Sequence, residues 1–288
     1  MKNAWFKAYL YLIPALTVIL VFFLGGFVLA IIQSLGYFPL IGQNEFTFKY
    51  YTQVLTSREF LNSLSFTFYI AFVSTIISTV MGTFLAYYFL KLAVKESLVR
   101  FFYKLPIAIP HLVTALMLVF LLGQGGILSR LLIKLGLISG TASFPAFFYS
   151  KNALGIILIY IWKEIPFITF MVYLVMRNIH SRLGEAATTL NASSSQVFRY
   201  ITLPLSMPSI ISASAIVFAF SFGAFEVPYL LGATYPKTLS VWAYLNYISA
   251  DWGARPLSMV INIIISLVCA LLILVYYLAS KKYLRRWG

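Results

Sequence analysis

Cysteine is nearly absent from this chain. Cys269 is the only one, so no intrachain disulfide and no cysteine metal cluster can form. Acidic residues are almost as sparse. The seven of them, Glu45, Glu59, Glu96, Glu164, Glu185, Glu226 and Asp251, are scattered, and the two histidines, His111 and His180, fall in different loops. Nothing in that scatter favours a paired-carboxylate, metal or Ser-His-Asp site. No G-x-x-x-x-G-K-[ST] phosphate loop occurs, so the sequence offers no nucleotide site of that kind. Alternating polar and apolar segments of about ten residues, the mark of an outer-membrane barrel, are missing. No internal repeat of the inverted-repeat transporter kind is visible. Only 10% of residues are charged against 61% hydrophobic, and the mean hydropathy is +0.92, which excludes a soluble globular domain.

What the chain has is long apolar blocks. Six of them, at about 9–33, 62–90, 107–123, 153–177, 205–231 and 257–280, are long enough to cross a hydrocarbon core of about 30 Å as helices. The expected fold is an all-α polytopic membrane protein, a single transmembrane domain over 1–288 with its core at about 60–280. The net charge of +14 is distributed as a topology signal. Lys and Arg cluster at Lys2 and Lys7, at Lys91, Lys95, Arg100 and Lys104, at Arg177, Arg182 and Arg199, and at Lys281, Lys282, Arg285 and Arg286. Positive charge marks the cytoplasmic side, so both termini and the loop between spans four and five face the cytoplasm. The same charge attracts anionic lipid headgroups and gives no reason to expect nucleic acid. Met1 to Gln33 is a retained first helix, because its apolar run exceeds the core of a signal peptide and further spans follow.

Along the chain, Trp5, Phe6, Tyr9 and Tyr11 beside Lys2 and Lys7 form a collar suited to the headgroup layer. The polar and aromatic stretch from Ser34 to Leu61 suits an ordered external cap. In the second span Ser74, Ser78 and Gly82 make a small-residue stripe, fit for close helix packing within the chain or against a second membrane subunit. Pro106 and Pro110 precede the third span, with an interfacial His111 beside it. Leu128 to Gly140 reads as a short amphipathic external helix. Three ionisable residues lie inside spans: Lys163 and Glu164 just before Pro166, and Glu226 just before Pro228. Each costs roughly 2.5–3.5 kcal/mol if it faces lipid at the midplane. Either Lys163 and Glu226, or Glu164 and a basic residue elsewhere, are structural pairs, or Glu164 and Glu226 line a translocation path.

The stretch Glu185–Pro204, EAATTLNASSSQVFRYITLP, is a polar, helix-capable island between two apolar blocks. Ser181 is placed to cap a first short helix carrying Glu185, Ala186, Ala187 and Leu190. Asn191 can reverse the chain, and Ser193 can cap a second short helix through Phe198, Tyr200 and Ile201. Pro204 and Pro208 mark the start of the fifth span. Glu-Ala-Ala at 185–187, a turn-former six residues after the glutamate, and Ile201, Leu203 and Pro204 form a specific spacing. It resembles the cytoplasmic coupling loop of bacterial binding-protein-dependent ABC importer permeases. Those carry glycine at the turn where this chain has Asn191, the non-glycine residue best suited to a left-handed backbone. Ser221–Gly232 also resembles the fifth span of the polyamine, ferric iron, phosphonate and thiamine branch.

The resemblance implies a permease subunit in the cytoplasmic membrane of a bacterium or archaeon. Two ATPase subunits, a second permease subunit (a paralogue rather than an identical copy) and an extracytoplasmic solute-binding protein would complete the importer. The loop 182–204 would dock an ATPase through Glu185, Ala186, Ala187, Leu190, Asn191, Ile201, Leu203 and Pro204. ATP and magnesium would belong to that partner, with no cofactor on this chain, which would be a transport subunit and not an enzyme. The solute would be small and polar or charged, a polyamine being the first expectation. The rival readings are a secondary transporter or channel that works without ATP, and a membrane-embedded enzyme or assembly factor.

Overall fold

A segment surrounded by hydrocarbon must satisfy its backbone internally, and these apolar runs do so as helices. The computed structural model describes residues 11–92 and 95–287, with side chains except at 96, 100, 103 and 282–287. The collar expected at Trp5, Phe6 and Tyr9 lies outside the described residues. In chain order the first helices are α1 (Tyr11–Ser34), α2 (Lys49–Leu55), α3 (Arg58–Lys91), α4 (Glu96–Ala108), α5 (His111–Leu122) and α6 (Ile127–Lys134). They are followed by α7 (Leu154–Thr189), α8 (Ser194–Gly223), α9 (Glu226–Leu231), α10 (Leu239–Tyr247) and α11 (Arg255–Trp287). Among the described residues there is no strand, only an isolated bridge between Phe38 and Gln43.

Among the described residues, six stretches are long and apolar enough to cross a membrane: Tyr11–Ser34, Arg58–Lys91, His111–Lys134, Leu154–Thr189, Ser194–Gly223 and Trp252–Lys281. The chain is therefore an all-α, multi-pass membrane protein. Its described part falls into two compact units, one from residues up to Leu61 with Leu239–Ser266, the other from Asn62–Thr238 with the segment from Leu267 onward. In the first unit, α1 buries none of its most apolar stretch inside the chain. In the second, α7 is the central helix, with 61% of that stretch buried against 33% in α3 and 39% in α8.

Small residues let neighbours approach α7 closely. A Cβ at Gly82 would come within 2.9 Å of Ile168, and Thr169 Oγ1 donates to the Gly82 carbonyl at 3.2 Å. The stripe of Ser74, Ser78 and Gly82 is thus used for packing within the chain, where both serines are fully buried. Toward one end of α7, Ile156, Ile159 and Tyr160 pack with Ile70, Phe148 and Leu231. Toward the other, Ile168, Val172 and Met176 pack with Ala86, Val99, Ile210 and Ala213.

Three boundaries differ from the sequence reading, each for a local reason. The third span starts at His111, not 107. Pro110 has no N–H for the Pro106 carbonyl, so the chain breaks at Ile109 and an amphipathic α4 precedes the break. The fifth span stops at Gly223, not 231. Ala224 is extended (ψ 137°), and Pro228 sits in the first turn of a separate short helix where its missing N–H costs least. The external helix expected over 128–140 is Ile127–Lys134, and Gly136 takes the positive φ (69°) that ends it.

Candidate functional site: a helical hairpin and a buried ionic pair

At 1.5 Å per residue, α7 (36 residues) is about 54 Å long and α8 (30 residues) about 45 Å. Both exceed a hydrocarbon core of about 30 Å, so their ends project and meet as a hairpin at Leu190–Ser193. The expected cap at Ser181 does not form: its hydroxyl donates back to the Asn178 carbonyl at 3.2 Å. α7 runs through the position as a wide π turn, His180–Gly184, so Glu185 lies inside a continuous helix and not at a helix start. Gly184 makes the turn possible, since a Cβ there would lie 2.4 Å from the His180 ring. A matching π turn, Phe198–Thr202, precedes Pro204, which has no N–H to give to the residue four before it.

The hairpin tip is closed by two interlocking caps. Asn191 has φ 63°, the left-handed conformation that ends a helix. Its N–H donates to Thr188 at 3.0 Å, and the Ala192 N–H to Ala187 at 3.1 Å, the paired bonds of a Schellman cap. One residue later Ser193 and Gln196 form a reciprocal capping box, backbone N–H to Gln196 Oε1 at 2.8 Å and Gln196 N–H to Ser193 Oγ at 3.3 Å. The N–H groups of residues 190–193 and 196 are thus bonded within the hairpin itself. Behind it, Val197 and Thr202 are buried, and the Phe198 ring lies 3.9 Å from that of Tyr87 at the end of α3.

The eight residues expected to dock a partner divide into two sets. Glu185, Ala186, Leu190 and Asn191 are exposed, with Leu190 at 84%. Ala187, Ile201, Leu203 and Pro204 are half-buried. Exposed Leu183 and Tyr200 add apolar surface to the same hairpin.

The second cluster centres on α7 midway along its apolar run. Lys163 does not pair with Glu226. Its ammonium donates to the carbonyls of Pro106 and Ile109, on either side of the turn left by the α4–α5 break. Glu164 points to the other side, accepting from Ser78 Oγ at 3.2 Å on α3 and from Ser221 Oγ on α8. Two adjacent residues thereby tie α3, α4 and α8, and the break at Ile109, to α7. Beside them a cleft of about 210 Å³ is lined by Ile107, His111, Phe167, Ile216, Val217 and Phe220 as well as the pair itself. The His111 and Phe220 rings lie 4.8 Å apart across it. Glu226 is exposed at the start of α9, near enough to His111 for its charge to act there, but it does not join Glu164.

Sequence reasoning missed the serine donors and the lysine's acceptors. Ser221 carried a signal, a hydroxyl in an apolar run, whereas backbone carbonyls carry none. It also missed Tyr160, fully buried with no hydrogen-bond partner for its hydroxyl among the described residues.

Relatives give this arrangement its context. The chain is 30% identical over 213 residues to the spermidine/putrescine transport system permease protein PotB of Haemophilus influenzae, covering 73% of this chain and 71% of that one. It is 28% identical over 261 residues to the trehalose/maltose transport system permease protein MalF of Thermococcus litoralis, covering 85% and 84%. In structure it matches a chain of a bacterial ABC transporter involved in the import of the acidic polysaccharide alginate, at TM-score 0.80 and 20% identity over 98% of this chain and 96% of that one. A chain of the MetNI methionine ABC transporter matches at TM-score 0.58 and 17% identity, over 77% and 94%. Residues 78–286 match the family described as binding-protein-dependent transport system inner membrane component, and the chain belongs to that family, as a permease subunit of an ABC importer.

Proposed function

We propose that this chain forms half of the pore of an ATP-driven importer and that its 182–204 hairpin docks one of two ATPase subunits on the cytoplasmic side. The observation that carries this reading is the continuity of α7 and α8 into the hairpin, with a tip closed by its own caps. A push on such a tip moves two membrane helices as one body. Leu190 and Leu183 offer apolar contact, the exposed Ala186 permits close approach, and Glu185 presents a carboxylate to a basic residue of the motor. ATP and magnesium belong to that motor, since this chain has no phosphate loop. A paralogous permease subunit and an extracytoplasmic binding protein complete the assembly, with both termini cytoplasmic by the charge distribution.

The solute is a small polar or charged molecule, with a polyamine first. Two carboxylates, Glu164 and Glu226, lie in or beside the membrane-spanning segments, and several relatives are named as polyamine permeases. The test is purification of the assembly in mild detergent, followed by ATPase assay and uptake of spermidine, putrescine and maltose in liposomes. Glu185→Lys and Ala186→Trp are expected to leave the chain in the membrane but cut transport-coupled ATPase at least tenfold. Normal coupling in both variants would sink the docking assignment. Uptake of maltose but neither amine would sink the solute assignment alone.

A further inference from the structure

The end of α11 away from the basic carboxyl-terminal cluster carries a charge that the topology signal does not explain. Arg255 is its first residue, at the edge of the sixth apolar segment, Trp252–Lys281. Its guanidinium carbon lies 4.7 Å from the ring centroid of Trp252, 4.9 Å from that of Tyr247 and 5.9 Å from that of Phe38. All three rings are within the distance at which an aromatic face attracts a cation. They come from three separate segments: the loop after α1, the end of α10 and the 3₁₀ turn Trp252–Ala254.

Rings hold a guanidinium by its flat faces and leave its in-plane N–H donors to find acceptors elsewhere. The Arg255 Nε is buried without a hydrogen-bond partner among the described residues. Asp251, four residues earlier, spends Oδ1 on the Gly253 N–H at 2.9 Å, and no carboxylate reaches Arg255 among the described residues. A cation held in place with its buried Nε donor unpaired is matched by a group bearing several anionic oxygens.

The surroundings favour a lipid as the source. Trp252 and Tyr247 are about half exposed, as aromatics at a membrane–water boundary are, and Ile248 (51%) and Leu40 (81%) expose apolar surface close by in the chain. We propose that Arg255, caged by Phe38, Tyr247 and Trp252, binds the phosphate of an anionic phospholipid headgroup.

The experiment is native mass spectrometry of the full chain in its assembly, titrated with phosphatidylglycerol, phosphatidylethanolamine or inorganic phosphate. The wild type is expected to retain one phosphatidylglycerol that Arg255→Met loses by roughly tenfold. Arg255→Lys should fall between the two, and Trp252→Leu, which keeps the charge, should weaken retention several-fold. Equal retention by wild type and Arg255→Met would overturn the proposal, and matched thermal unfolding of the variants keeps a folding defect from imitating the loss. Binding of inorganic phosphate with no preference for the lipid would overturn the lipid assignment. So would unchanged lipid retention in Arg255→Met together with weaker docking of the soluble binding protein, which would give the arginine to a protein carboxylate.

Discussion

Lys163 shows how a proline can place a charge inside a membrane. Pro110 removes the N–H that the Pro106 carbonyl would have received, and Ile109 leaves helical geometry. Two carbonyls with no backbone donor would cost about 1–3 kcal/mol each if left bare, and the ammonium serves both. Lys163→Met should therefore destabilise the purified protein by about 1–3 kcal/mol. In a Pro110→Ala background, which restores a backbone donor, the same change should cost at least about 1 kcal/mol less. The measurement is thermal unfolding over the double-mutant cycle, and strict additivity would show that the lysine has another role. The charge was legible in the sequence as an ion in an apolar run, and the proline was legible as a breaker. Their connection was not, because nothing in residue order says which helix will lie 57 positions away. For the same reason Lys163 looked like a partner for Glu226.

At the scale of the element, the hairpin tip was readable because caps are written in side chains. Asn191 tolerates φ 63°, and Ser193 followed three residues later by Gln196 spells a helix start. The misread cap at Ser181 has the opposite cause. A π turn leaves no cap signature, and its one requirement here, the missing Cβ of Gly184 beside the His180 ring, reads in the sequence as an ordinary glycine, so α7 passes through His180–Gly184 where the sequence offered a plausible beginning. Asn191→Gly should be tolerated, whereas Asn191→Val forces a β-branched residue into the left-handed region at about 1–2 kcal/mol. Trypsin reports the difference, since Arg182 and Arg199 are exposed on the two arms. Faster cleavage there in Asn191→Val than in Asn191→Gly is expected, and equal rates would mean that the Schellman geometry does not hold the tip.

For the molecule as a whole, the number and rough limits of the spans were legible from apolar run length alone. The rank of the spans was not. Nearly uniform hydrophobicity hides the fact that α7 is the central helix of its unit while α1 buries nothing of its apolar stretch within the chain.

The ties made by Lys163 and Glu164 also set an order for building the protein. A ribosome delivers Ser78, Pro106 and Ile109 before the lysine and glutamate are made, and Ser221 only 57 residues after Glu164. At 5–20 residues per second that delay is roughly 3–11 s. During it the ammonium can already be satisfied, and the carboxylate must rely on Ser78 alone. In a nascent chain halted before the fifth span, Ser78→Ala should lower the fraction with span four integrated, as read by protease protection. Continued synthesis past Ser221 should recover it. A full effect that persists in the finished chain would show that the second serine comes too late to matter. The same residues that lock the finished helices together thus make the early half of the chain a chaperone for the charges of the later half.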